Sequence, residues 1–126
     1  MSVSIERTTP KAATIVWETA DDPQGYIVQA IDNGRLEKAL TALGLKEADD
    51  LAALDEYERA DILRATAALA AELTRRVRHM TVIARDEGMT WGTLASNLTG
   101  DPTARSTARS TYDAGLRQMG RLPSAD

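Results

Sequence analysis

Between Asp55 and Gly88 the chain contains no glycine or proline to interrupt a helix. At the start of this stretch, Asp55 can accept hydrogen bonds from free backbone N–H groups, and Glu58 can reciprocate three residues later. The pattern therefore predicts one helix over roughly residues 56–87. At 1.5 Å per residue this helix would be about 48 Å long, well beyond the usual length.

Apolar and small side chains recur along the predicted helix in steps of three and four residues, which places them on one face in a heptad pattern. Two interpretations follow: other helices of the same chain cover this face, or part of it pairs with the same helix of a second chain. Because so long a helix extends beyond a small domain, we expect a homodimer. The residues expected at its contact are Leu63, Ala70, Leu73 and Val77.

The composition favours one globular, helical domain. The chain has 126 residues, 43% of them hydrophobic and 27% charged, and it contains no phenylalanine. With so few aromatic side chains, the core must consist mainly of alanine, leucine, valine and isoleucine, which favours closely packed helices over a sheet sandwich. We therefore expect a single all-α domain over residues 1–126, with short N-terminal helices around the long central helix.

The chain divides by sequence pattern into three parts. Residues 1–20 are rich in serine and threonine, and the apolar run at 12–17 predicts a short strand or an ordered arm. Residues 21–54 form an acidic region of short helices, and residues 55–122 contain the long helix and the C-terminal helices described below. The short helices are predicted at residues 26–31, 36–43 and 46–54.

The net charge of −4 is unevenly distributed. Residues 1–58 carry five basic and twelve acidic side chains, a net −7, whereas residues 59–126 carry ten arginines and seven acidic side chains, a net +3. This asymmetry predicts two surfaces with different partners. The acidic half is a candidate to bind a basic protein partner.

Residue types that support metal binding or catalysis are scarce. The chain has no cysteine and a single histidine, His79, which excludes thiolate zinc sites, histidine pairs and cysteine nucleophiles. The acidic residues near position 50 lack the alternating spacing and the glycine of a calcium loop, and there is no glycine-rich phosphate loop with lysine. We therefore expect no enzymatic activity, no metal and no cofactor.

The sequence also lacks signals for membranes or secretion. No apolar run approaches the roughly 18 residues of a membrane span. The first residues do not combine a basic stretch with an apolar run. The expected location is the cytoplasm.

Two further helices are predicted after Gly88. Thr90 can cap the first, whose apolar residues share one face. After a glycine-containing turn, Asp101 as cap and Pro102 at the first helical position predict the start of the second helix, which runs to about residue 119. This order, with an arginine-, serine- and threonine-rich second helix, is the layout of a helix-turn-helix. The shared apolar face consists of Trp91, Leu94, Ala95 and Leu98.

Two runs of residues resemble small bacterial helix-turn-helix DNA-binding domains, over residues of about 80–120. Residues 88–98 read GMTWGTLASNL, which is similar to the run G-x-(S/T)-W-x-x-(I/L)-A-x-x-L that precedes the turn in that family. Residues 105–112 read RSTARSTY, which is similar to its recognition helices, although the turn before them is longer than usual. The resemblance implies double-stranded DNA as the partner, in transcription control or in plasmid or phage maintenance.

Arginines of the second helix form the expected DNA surface. Arg105, Arg109 and Arg117 are separated by multiples of four, so together with Arg121 they follow one slowly drifting stripe of a helix. Arginine binds phosphates or makes a forked pair of hydrogen bonds to guanine, and serine or threonine can reach a base edge. The residues expected in the major groove are Thr103, Arg105, Ser106, Arg109 and Ser110.

Other side chains are expected to support this surface. Thr107, Ala108 and Leu116 are predicted to face the interior, and Trp91 to lie in the core beneath the turn. A basic cluster on the long helix can bind phosphates beside the groove, the alternative being a solvated helix face. This cluster consists of Arg75, Arg76 and Arg78.

The sequence thus predicts specific binding to double-stranded DNA without a catalytic step, and a two-fold dimer would require half-sites about 34 Å apart. Two alternatives stay open. In the first, the arginines of the second helix form a solvated face that includes an Arg109–Asp113 ion pair and binds no DNA. In the second, the protein is an adaptor that binds proteins through its acidic half and its long helix.

Overall fold

The structure is a computed structural model that describes residues 2–121. It is mostly helical, as predicted, and it contains the long helix together with a small two-stranded sheet. Contacts between Cα atoms divide the chain into two compact units, residues 1–67 and 68–126, and the boundary falls inside the long helix. Within the described part of the chain, no helix is both long and apolar enough to cross a membrane.

The N-terminal unit begins with an antiparallel hairpin of β1 (Ser4–Thr9) and β2 (Ala12–Val16). The apolar run at 12–17, for which a short strand or an ordered arm was predicted, forms strand β2. The all-α prediction omitted its partner, because Ile5 is the only large apolar residue of β1 and its side chain is exposed. Backbone hydrogen bonds hold the pair, with an irregularity between Arg7 and Thr9.

Three short helices follow the hairpin, close to the predicted positions. The first begins after Gly25, and the Asp22 carboxylate stabilises its first turn by accepting the backbone N–H groups of Ile27 and Val28 at 3.1 and 3.3 Å. Beyond the end of the third, the Arg59 guanidinium donates to the carbonyl of Leu54 at 3.0 Å. These helices are α1 (Tyr26–Asp32), α2 (Arg35–Gly44) and α3 (Ala48–Ala52).

The long helix is α4 (Glu56–Asp86), which contains 31 residues. Asp55 begins it as predicted, since Asp55 Oδ1 accepts the N–H of Tyr57 at 3.2 Å. After the helix, Gly88 has a φ of 104°, a backbone conformation that residues with a β-carbon rarely adopt. The N–H of Met89 then donates back to the last turn of α4 at 3.0 Å, which fixes the direction in which the chain leaves the helix.

Helix α5 (Trp91–Thr99) begins at the predicted cap, where Thr90 Oγ1 accepts the N–H of Thr93 at 3.2 Å. Its apolar face forms the core of the C-terminal unit, as the spacing predicted. The buried residues of this core are Leu94, Ala95 and Ala108, with Trp91 and Leu98 packed against them.

Helix α6 (Arg105–Gln118) starts later than the sequence predicted. Asp101 does not cap it, because the Asp101 carboxylate instead accepts the N–H and the hydroxyl of Thr103 at 2.9 and 2.6 Å. Such local side-chain bonds offer the backbone an alternative to the helix. They also lower the pKa of Asp101, the Thr103 hydroxyl having the larger effect. Pro102 therefore lies in the turn before α6 rather than at its first position.

The buried side of α6 faces both α4 and α5. Ala108 and Leu116 are buried there, as predicted, but Thr107 is exposed and the prediction that it faces the interior is wrong. Thr107 directly precedes Ala108, and the helical rotation of about 100° per residue carries its side chain off the buried side of α6. Its carbonyl accepts a hydrogen bond from the Thr111 hydroxyl at 2.9 Å.

Helix α6 approaches the last turns of α4 closely at Gly115. A β-carbon at this position would lie 2.6 Å from Val82 Cγ2 and 2.7 Å from the backbone oxygen of Arg78. Both distances are far below van der Waals contact, and Val82 is itself fully buried. The two helices can therefore pack at this distance only because residue 115 is glycine.

Candidate nucleic-acid interface

The candidate site is organised around Trp91, the first residue of α5. Its ring is half-buried and packs against the core of the C-terminal unit, as the sequence predicted. The Tyr112 ring meets it edge-on, with centroids 5.4 Å apart and planes at 87°. Trp91 thus has one side fixed by the core and by α6, and it offers the remaining ring surface to charged side chains.

Two guanidinium groups lie against the Trp91 ring. The Cζ atom of Arg85, at the end of α4, is 4.4 Å from the ring centroid, and that of Arg109, on α6, is 4.9 Å away. Both distances are within the range of cation–π attraction. Arg85 is held further by a 2.8 Å hydrogen bond from its Nη1 to the carbonyl of Met89. Two positive charges from different helices are therefore positioned by the same aromatic side chain.

Arg105 brings a third guanidinium to the same end of α5. A β-carbon on Gly92 would lie 3.6 Å from Arg105 Nη2, so the guanidinium group lies over the first turn of α5. Neither Arg105 nor Arg85 forms an ion pair with a carboxylate of residues 2–121. The N-terminus of a helix carries a partial positive charge of its own. Three guanidinium groups and a helix N-terminus together make this end of the unit electropositive. We call it the arginine cluster: Arg85, Arg105 and Arg109.

Of the other residues predicted to contact DNA, three are exposed on α6 and one lies in the turn before it. Ser106 and Ser110 are exposed on α6, and Arg117 is exposed in its last turn. Thr103 was predicted to lie on the helix. It lies instead in the turn before α6, where its hydroxyl donates a hydrogen bond to the Asp101 carboxylate. The exposed side of α6 therefore presents Ser106 and Ser110 beside Arg105 and Arg109.

Arg121 does not continue the predicted stripe, because α6 ends at Gln118 and the chain has turned away before residue 121. Its guanidinium instead pairs with Asp86 Oδ2 at 3.0 Å, and the Tyr112 hydroxyl donates to Asp86 Oδ1 at 3.2 Å. The hydrogen bond from Arg121 lowers the pKa of Asp86. The last residue of α4 is thereby tied to α6 and to the segment after it.

The basic cluster predicted on α4 is only partly available to a ligand. Arg76 is paired with Glu72, whose Oε2 lies 2.9 Å from its Nη1. Arg78 is half-buried beside α6, with its Nη1 3.4 Å from Gln118 Oε1. Arg75 is exposed, and its carbonyl accepts a hydrogen bond from Gln118. These arginines are a weaker candidate for phosphate contact than the arginine cluster.

Arg85 belongs to the site but was not predicted from the sequence. It was assigned to the long helix, six residues before Trp91, and the turn at Gly88 separates the two in the sequence. The turn reverses the chain and brings the Arg85 side chain back onto the ring. An arginine in the last turn of a helix, followed by a glycine turn and a tryptophan, was the available signal.

Among the described residues, no group of three histidine, cysteine, aspartate or glutamate side chains is placed to hold a metal ion. Compared with protein-family models, curated proteins and solved structures, the chain gives no match.

Proposed function

We propose that the protein binds double-stranded DNA through the arginine cluster and the exposed front of α6, in the manner of a helix-turn-helix. The observation that carries this proposal is the convergence of three guanidinium groups, one from α4 and two from α6, at the first turn of α5. Arginine is the side chain best suited to bind phosphate, because its donors form a planar fork.

Two kinds of contact contribute to this binding: contacts to phosphates and contacts to base edges. Arg85 and Arg109 are restrained by the Trp91 ring, so they lose less freedom when they bind phosphates than unrestrained arginines would. Arg105, Ser106 and Ser110 lie on the front half of α6, where side chains can reach base edges in the major groove. The function is binding alone, in the bacterial cytoplasm, with transcription control or plasmid or phage maintenance as its role.

Salt dependence tests the proposal. With about four phosphate contacts, we expect affinity for a random duplex to fall roughly 100-fold between about 50 and 200 mM salt, because each contact releases counterions. Fluorescence anisotropy with labelled random and genomic duplexes measures this directly. If no duplex binds at the lowest salt concentration, the proposal is wrong and the adaptor hypothesis gains support.

A further inference from the structure

We propose that the groove between α2, α3 and the first turns of α4 binds a free amino acid with a large apolar side chain. The groove has a volume of about 500 Å³, which lies within the range of pockets that hold small molecules. All of its lining residues belong to the N-terminal unit. The inference stands independently of DNA binding.

Apolar side chains form most of the groove wall, which suits an aliphatic or aromatic ligand group. Leu63 is 70% exposed, so a ligand in the groove would remove apolar surface from water. Leu63 was predicted at a dimer contact together with Ala70, Leu73 and Val77, and all four residues are exposed. The uncharged residues of the wall are Ala42, Leu51, Ala60, Ile62, Leu63 and Thr66.

Two charged side chains, Glu56 and Arg59, line the same groove. They are three residues apart on α4, which places them on one face of the helix. Opposite charges at this spacing can form an ion pair, but neither side chain is in an ion pair within the stretch that the structure describes. One negative and one positive charge are therefore available to a ligand that carries both.

The Arg59 guanidinium is already held in place. Its Nη1 donates to the carbonyls of Ala52 and Leu54 at 3.3 and 3.0 Å, just beyond the end of α3. Its Nε and Nη2 donate to none of the described residues, and together they form an edge that can bind a carboxylate through two parallel hydrogen bonds. Because the group is fixed before a ligand binds, little side-chain freedom is lost on binding.

These groups match both charges of a free amino acid. Its carboxylate would accept hydrogen bonds from Nε and Nη2 of Arg59, its ammonium group would donate to the Glu56 carboxylate, and its side chain would contact the apolar wall. A simple carboxylic acid would place a second negative charge beside Glu56, and a simple amine would place a second positive charge beside Arg59. Since like charges repel, the groove favours the zwitterion over either.

NMR titration of the ¹⁵N-labelled full chain with three matched ligands tests the proposal. Phenylalanine carries both charges, 3-phenylpropanoate lacks the amine, and 2-phenylethylamine lacks the carboxylate. We expect phenylalanine to bind about 10-fold or more tightly than either analogue, with shift changes in α2, α3 and residues 56–66. The proposal is overturned if phenylalanine does not bind, if it binds elsewhere, or if an analogue binds equally well.

Substitution of the two charged side chains tests their roles. Glu56→Gln removes the negative charge, and Arg59→Lys keeps the positive charge but removes the Nε–Nη2 edge. We expect each to weaken phenylalanine binding about 10-fold, and Glu56→Gln to bind phenylalanine and 3-phenylpropanoate equally. The matched controls are Glu58→Gln and Arg64→Lys, which change exposed residues of α4 outside the groove wall and should leave affinity unchanged. If Glu56→Gln retains the affinity of Glu58→Gln, the proposal is wrong.

Discussion

Replacement of Arg105 and Arg109 together by alanine is expected to weaken binding to a specific duplex about 100-fold or more. Each arginine that contacts DNA contributes about 1–3 kcal/mol, and the two lie on neighbouring turns of α6 at the arginine cluster. Anisotropy titrations of the wild type and the double variant at one salt concentration measure the loss. Equal affinities on every duplex would contradict the assignment of this surface.

Two further variants separate the possible roles of these arginines. Lysine at both positions keeps the charge and removes the planar fork, so binding to random duplex should persist while preference for a specific site is lost. Arg64→Ala removes an arginine that is exposed on α4 and paired with Asp61. Since such a surface pair contributes little, this control should leave DNA affinity nearly unchanged.

Gly115→Ala is expected to lower the free energy of unfolding by about 1–3 kcal/mol. In most helices this change would stabilise, because alanine has the higher helix propensity by about 1 kcal/mol. At Gly115, however, the new β-carbon would lie 2.7 Å from the backbone oxygen of Arg78, which cannot move without displacing α4. Denaturant unfolding, followed by circular dichroism, measures the difference.

Gly92→Ala is the matched control for this prediction. Gly92 is also helical, but a β-carbon there would meet Arg105 Nη2 and the Pro102 oxygen only at 3.6 and 3.7 Å, which is ordinary contact. We expect unchanged or slightly higher stability. If Gly115→Ala proves as stable as Gly92→Ala, the close approach of α6 to α4 is wrong.

Local sequence signals were sufficient to predict most of the helices. Asp55 and Thr90 cap α4 and α5 as predicted, and Gly88 follows the end of α4 as predicted, because caps and turns depend on a few neighbouring residues. The predicted start of α6 was wrong for a related reason. Asp101 is both a good cap and a good turn residue, and its bonds to Thr103 favour the turn.

Contacts between distant residues were not predictable from spacing alone. The predicted stripe of arginines included Arg121 only if the helix continued beyond Gln118. In the structure the chain turns after Gln118, and Arg121 forms an ion pair with Asp86. Arg85 joins the site only through the turn that follows α4. In the hairpin, pairing of β1 with β2 depends on backbone hydrogen bonds, which leave no apolar pattern in the sequence.

The central claim, that DNA contacts the arginine cluster and the front of α6, is tested most directly by NMR titration of the ¹⁵N-labelled full chain with duplex DNA. We predict that shift changes concentrate in residues 85–93 and 103–110, including the indole N–H of Trp91, and spare α1 to α3. Shift changes confined to α1 to α3, or none at any DNA concentration, would contradict it.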